Sequence, residues 1–207
     1  KQTVDGIRLA GSIHDIGKNC VPADILSKPG KLTDHEFGII KTHPEVGFEI
    51  LRGIRFPWPI AKAILQHHER IDGSGYPSGL KGDNIIIEAR VIAVADVVEA
   101  ISSHRPYRPA LGTSVALHEI TKGRGVIYDA DAVDACIRLL NEKKFSSGFP
   151  IGTTDRDNFF ILYQPRVDSY LQGTDLNLSP ILAIQQSYQD SSVVMFSRPE
   201  HEGRIMI

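Results

Sequence analysis

The chain has 207 residues, 42% of them hydrophobic and 23% charged, with a formal net charge of −2. That is the balance of a globular protein with one substantial domain and an appendage; it gives no bulk attraction to a nucleic-acid polymer or an anionic membrane, so an anionic ligand must be held by a local cluster. Cys20 and Cys136 lie far apart with no CxxC pair, which argues against a disulfide scaffold or thiolate zinc site and points to a reducing, cytoplasmic compartment. No run approaches the roughly 18 apolar residues of a membrane span.

Val4, Ile7, Gly11 and His14 recur at spacings of three and four, which predicts a helix over residues 3–16 with the histidine on its inward face. No start methionine and no upstream cap precede this stripe, so the chain is expected to begin inside a domain. A loop with Pro22, Pro29 and Gly30 leads to a helix from Thr33 to Thr42, opened by Thr33 and Glu36 as a capping box. Thr42 and Glu45 form a second candidate box, with Pro44 in the first turn of a helix through Gly47, Ile50 and Leu51. Pro59 opens the next helix, along which Ile60, Ile64 and His67 or His68 share a face. The loop ERIDGSGYPSGLKGD follows, and its glycines predict a tight turn with positive φ.

From Glu88 to Ser103 the stripe Ala89, Ile92, Ala93, Asp96 and Ala100 is apolar except for one carboxylate. Shorter helices are expected at residues 114–121 and 130–140. Beyond about residue 145 the composition shifts to Gly and Ser with short β-prone runs at 159–163 and 193–196. The expected architecture is an all-α domain over residues 1–145, followed by a small β-rich appendage over 146–207.

His14, Asp15, His43, His67, His68 and Asp96 are polar residues on otherwise inward faces. A buried Asp or an unpaired His is costly, and one shared cation centre satisfies all six. Any one of these histidines alone would more often be a satisfied core residue. Four helix-borne imidazoles and two carboxylates suit iron, manganese or zinc rather than magnesium or calcium, and they exceed one tetrahedral ion, so at least two metals are expected. Asp15, with two oxygens and His14 beside it, is the expected bridge. Lys18, one turn later, either reaches the same cavity or lies on a solvated face.

HDIGK at 14–18, SKPGKLT within 25–36, HPEVG at 43–47, QHHERIDGSGYPSGLKGD at 66–83, ARVIAVADVVEAI at 89–101 and RPYRPAL at 105–111 follow one another in order. Through these stretches the chain resembles the HD-GYP domains of the HD phosphohydrolase superfamily. The resemblance implies an all-helical domain with two or three divalent metal ions, commonly iron or manganese. It implies hydrolysis of cyclic di-GMP to linear pGpG or on to GMP through a metal-bridging hydroxide. It places His14, Asp15, His43, His67, His68 and Asp96 on ligand positions, Asp15 and Lys18 at the catalytic centre, and Lys18, Arg105 and Arg108 against substrate. Tyr76 and the GYP loop are implied in substrate contact or in docking to diguanylate cyclase domains. Related chains carry a further ligand histidine upstream, so an N-terminal part of the domain is expected to be missing; a sensor or receiver domain is expected before it, and a homodimer is allowed. The rival readings are a phosphohydrolase of another cyclic dinucleotide or nucleotide, and a catalytically inactive module that binds cyclic di-GMP or docks partners.

Overall fold

A computed structural model describes residues 2–103 and 109–142. Eight α-helices occur there: α1 Gln2–Ile13, α2 Ala23–Leu26, α3 Asp34–Ile40, α4 His43–Leu51, α5 Ile60–Gln66, α6 Ile87–Ser102, α7 Thr113–Lys122 and α8 Ala130–Glu142. Short 3₁₀ turns lie at Ile16–Cys20 and Gly82–Asn84, and no β-strand occurs among the described residues. The expected β-rich appendage at 146–207 and the RPYR stretch with Arg105 and Arg108 lie outside the described residues. Among the described residues no helix is long and apolar enough to cross a membrane.

Helix α6 is the spine. Its Ile92 joins Ala10, Ile13, Leu51, Ile60 and Ile64 in one core cluster. Val94, Val97, Val98 and Ile101, on another face of the same helix, join Ala116, Ile120, Tyr128 and Val133 in a second. Each buried Val, Leu or Ile among them contributes roughly 1.5–3 kcal/mol by leaving water. Asp96 projects from α6 between these apolar stripes, so the packing on both sides fixes where its carboxylate lies. Gln66 at the end of α5 accepts from the Ile86 amide at 2.9 Å, tying that helix to the entrance of α6. Arg90 donates to Asp129 at 2.9 Å, and the other oxygen of Asp129 accepts from the Ala132 amide at the start of α8.

The Thr33–Glu36 capping box is formed in both directions. The second expected box is not. Thr42 makes no capping bond with its side chain, because its hydroxyl donates back to the Ile39 carbonyl at 2.8 Å and closes α3 instead of opening α4. Helix α1 stops at Ile13, one residue short of the histidine expected on it, and Val4 at 49% exposure is not part of the inward stripe.

The Ile16–Cys20 turn sits directly on α4. A Cβ on Gly17 would lie 1.9 Å from the His43 carbonyl oxygen, and one on Gly47 would lie 2.8 Å from Ile64. Two backbones can approach this closely only where a side chain is lacking. Gly17→Ala is therefore expected to lower the unfolding free energy by about 3 kcal/mol, the upper range for overpacking. Urea unfolding measures it, and an unchanged midpoint would mean that the turn is not seated on α4.

Candidate metal centre

His43 is the first residue of α4, whereas His14, His67 and His68 lie just past the ends of α1 and α5. The expectation of four helix-borne imidazoles is corrected accordingly. The ends matter because the last four carbonyls of a helix have no partner within it. His14 Nδ1 donates to the Gly11 carbonyl at 2.7 Å, His43 Nδ1 to Ile40 at 2.8 Å and His67 Nδ1 to Ile64 at 2.6 Å. A carbonyl can only accept, so in each ring Nδ1 carries a hydrogen, and a ring that is neutral, or that gives up its second proton to a binding cation, offers Nε2 as a lone pair.

Those lone pairs converge. His43 Nε2 lies 3.3 Å from His67 Nε2 and 3.3 Å from Asp15 Oδ1. His14 Nε2 lies 3.5 Å from Asp15 Oδ2 and 3.6 Å from Asp96 Oδ1, and His68 Nδ1 lies 3.9 Å from Asp96 Oδ2. His14 and His67, His43 and His67, and His43 and His68 meet edge to face, and His67 and His68 are tilted, with centroids 4.0–5.2 Å apart. His43 and His67 are fully buried, and His14 Nε2 and His68 Nδ1 are buried atoms with no hydrogen-bond partner. Acceptors packed against acceptors repel unless a proton or a cation sits among them. The donor atoms of Asp15, His43, His67 and His68 all lie within 4.8 Å of one another, a nitrogen and oxygen set suited to a divalent metal.

All six residues selected from the sequence are thus in one cluster, and Lys18 joins them. Lys18 Nζ donates to Asp15 Oδ2 at 2.7 Å and is largely buried, so its reading as a solvated surface charge is withdrawn. Asp15 is not a helix C-terminus but the residue that opens the 3₁₀ turn, and its two oxygens face different neighbours, Oδ1 toward His43 and Oδ2 toward Lys18 and His14.

The electrostatics agree with the geometry. Burial would raise the Asp15 pKa, but Lys18 and then His14 hold it well below the ordinary carboxylate range. Burial acts the same way on Asp96, and the adjacent His14 brings it to about 2. Burial would lower His14, yet Asp15 and Asp96 raise it to about 9. His67 is pushed down to about 3 by burial, then by the charges of His14 and His43. His68 is also lowered, by burial and then by His67. Two carboxylates stay ionised beside two imidazoles that stay neutral, which is the protonation a metal requires of its ligands.

Glu69, a residue the sequence did not single out, organises the rim. Its carboxylate is 2% exposed and accepts from the Ser78 amide at 2.7 Å and the Leu80 amide at 2.9 Å, clamping the loop after the two histidines. The Tyr76 amide donates to the His68 carbonyl at 3.2 Å, and the Tyr76 ring stacks on His68 at 4.7 Å and 24°. Gly73 has φ +87°, as the tight turn requires. Gly75 does not have positive φ; a Cβ there would lie 2.4 Å from the Arg70 nitrogen, so its role is close approach to the backbone of the histidine pair. The only signal for Glu69 was its position beside His67 and His68, which equally suits a ligand.

Glu69→Ala removes two part-buried hydrogen bonds to a charged acceptor, each worth about 1.5–3 kcal/mol, and is expected to cost about 2–4 kcal/mol in urea unfolding. Glu69→Gln keeps one acceptor and should lose about half of that. Equal, small losses for both variants, with unchanged hydrogen-exchange protection at Ser78 and Leu80, would refute the clamp.

A family model described as the HD domain matches residues 1–132. The chain is 47% identical over 134 residues to the cyclic di-GMP phosphodiesterase response regulator RpfG of Xanthomonas campestris, covering 64% of this chain and 35% of that protein. It is 44% identical over 143 residues to a cyclic di-GMP phosphodiesterase of Thermotoga maritima, covering 67% of this chain and 38% of that one. It is 39% identical over 140 residues to the 3'3'-cGAMP-specific phosphodiesterase 2 of Vibrio cholerae, covering 67% of this chain and 27% of that one. The chain therefore spans roughly a third of the length of these relatives.

Proposed function

The chain belongs to the HD domain family, and from that premise we propose that it is a metal-dependent phosphodiesterase that hydrolyses cyclic di-GMP to linear pGpG or on to GMP. The observation that carries this reading is the close approach of His43 Nε2 to His67 Nε2 and Asp15 Oδ1, acceptors held together in a buried cluster. Relatives at 44–47% identity bear the name of that activity.

His14, Asp15, His43, His67, His68 and Asp96 would hold two or three divalent ions, with iron or manganese favoured by the mixed nitrogen and oxygen donors. Metal bound there supplies Lewis acidity, lowering the pKa of the attacking water and neutralising charge on the phosphoryl oxygens. The chain's own residues do the rest. The Gly11, Ile40 and Ile64 carbonyls fix three imidazoles in one tautomer and orientation, so no reorganisation is needed when substrate arrives. Lys18 holds Asp15 in place and sets a permanent positive charge where a phosphodiester becomes more negative in the transition state. Tyr76, half-buried and stacked on His68, is assigned to substrate contact on sequence grounds. Arg105 and Arg108 are assigned to substrate on sequence grounds, through forked donors that match a phosphate or a guanine edge.

A second reading is favoured by the relatives named as 3'3'-cGAMP-specific, at 36–39% identity. A hybrid cyclic dinucleotide presents the same phosphodiester ring to the same cluster, and the choice lies in base recognition. The presence of all six ligand positions expected within this stretch argues against a module that binds without hydrolysing.

Anaerobically purified protein is expected to carry stoichiometric metal and to release a linear dinucleotide from cyclic di-GMP, faster than from 3'3'-cGAMP. Chelation abolishes this and added Mn²⁺ or Fe²⁺ restores it. Asp15→Ala should reduce turnover at least about 100-fold and lower metal content, the scale seen when one group stabilising developing charge is removed. Metal-loaded protein that binds the nucleotide tightly and forms no linear product would sink the enzymatic reading.

A further inference from the structure

Lys41 follows α3 and is exposed, yet its ammonium is not left to wander. Nζ lies 4.9 Å from the centre of the Phe37 ring and 5.2 Å from that of Tyr76. Two aromatic faces hold one cation, each contributing about 0.5–1 kcal/mol at an exposed site. No carboxylate pairs with it among the described residues, whereas Lys18 is paired with Asp15 and Lys28 with Glu36. The Tyr76 ring beneath Lys41 stacks on His68 at 4.7 Å. A continuous column therefore runs from the surface cation, through one phenol ring, to a candidate metal ligand.

We propose that Lys41, held over Tyr76, is an outer anion subsite that takes the non-reacting phosphate of a cyclic dinucleotide while the other phosphate lies at the His and Asp cluster. The inference rests on the phosphodiesterase reading above. A cyclic dinucleotide carries two phosphates across one ring, and only one can occupy the reacting position. Lys18 is held at the inner cluster by its bond to Asp15. The second charge needs its own partner at the rim, and an unpaired ammonium over an aromatic floor is such a partner, able to donate three hydrogen bonds. Lys41 thereby selects substrates with two phosphates over simple diesters with one.

The test compares kcat/KM for cyclic di-GMP with kcat/KM for bis(p-nitrophenyl) phosphate, using metal-loaded protein. Lys41→Ala is expected to lower that ratio about tenfold through KM for the dinucleotide, in the range of a hydrogen bond to a charged group. Lys41→Arg should restore most of it, raised salt should narrow the difference, and Lys122→Ala, an exposed lysine on α7, should leave the ratio unchanged. An unchanged ratio in Lys41→Ala, or an equal fall in Lys122→Ala, would overturn the subsite while leaving the phosphodiesterase reading intact. If the wild-type protein hydrolyses no cyclic dinucleotide, that reading fails, and calorimetric titration of cyclic di-GMP decides the subsite: a tenfold weaker Kd in Lys41→Ala upholds it, and no binding by wild type removes it.

Discussion

Three helices end around one cluster of histidines, and each leaves there a carbonyl that has no use inside its own helix. Gly11 in α1, Ile40 in α3 and Ile64 in α5 turn those carbonyls on the Nδ1 atoms of His14, His43 and His67. Everything else at the centre depends on this pairing. An imidazole fixed at Nδ1 has one lone pair left and one direction in which to offer it. The termini that would otherwise leave unsatisfied carbonyls in the interior instead define the tautomer of a candidate metal-ligating histidine, so a cost of helix formation and a requirement of the site cancel.

For the helix ends to meet, the backbone between them must be thin. Gly17 and Gly47 let the turn after Asp15 lie flat on α4, and Ile64 packs over the same crossing. The Asp15 carboxylate is thereby delivered from below while Asp96 arrives from α6, whose two apolar faces are locked into separate clusters. On the open side, Glu69 uses both oxygens to hold the loop that carries Tyr76 back onto His68. The core, the crossing glycines and the clamp each immobilise a different edge of one small polar cavity. Such preorganisation is what lets fixed charges act on a transition state without first having to move.

Much of this was readable from the residues alone, for a physical reason. His14, Asp15, His43, His67, His68 and Asp96 interrupt apolar stripes, and an ionisable group in such a place needs a partner wherever the chain folds. Most of the helices followed from the same stripes, with boundaries off by up to three residues because helix ends are decided by capping rather than by periodicity, whereas the four-residue α2 lies in a stretch read as loop. Thr42 illustrates the difference: its hydroxyl can cap forward or bond backward with equal chemistry, and only the tertiary position of Ile39 decides. Gly75 and Glu69 were illegible for another reason. Neither breaks a pattern, and their roles, a close approach and a pair of bonds to amides 9 and 11 residues away, exist only once the loop has folded back. Lys41 belongs with them, since a surface lysine acquires meaning from Phe37 and Tyr76 beneath it and not from its neighbours in sequence.

The charges arrange themselves around the same point. Asp15 and Asp96 remain ionised although burial works against both, because His14 and Lys18 stand beside them. The carboxylates return the effect and draw His14 up to about 9, while His67, one ring away, is driven down to about 3. Neighbouring imidazoles with opposite tendencies mark a steep local field: strongly attractive to positive charge between the carboxylates, and already satisfied near the His43 and His67 pair by their own carbonyl bonds. A divalent cation meets both conditions at once, taking the negative potential of the carboxylates and the lone pairs of the neutral rings. Lys18, bonded to Asp15 at 2.7 Å, stands at the border of the same cluster, so that the inner carboxylate is matched by a cation on one side and by imidazoles on the other.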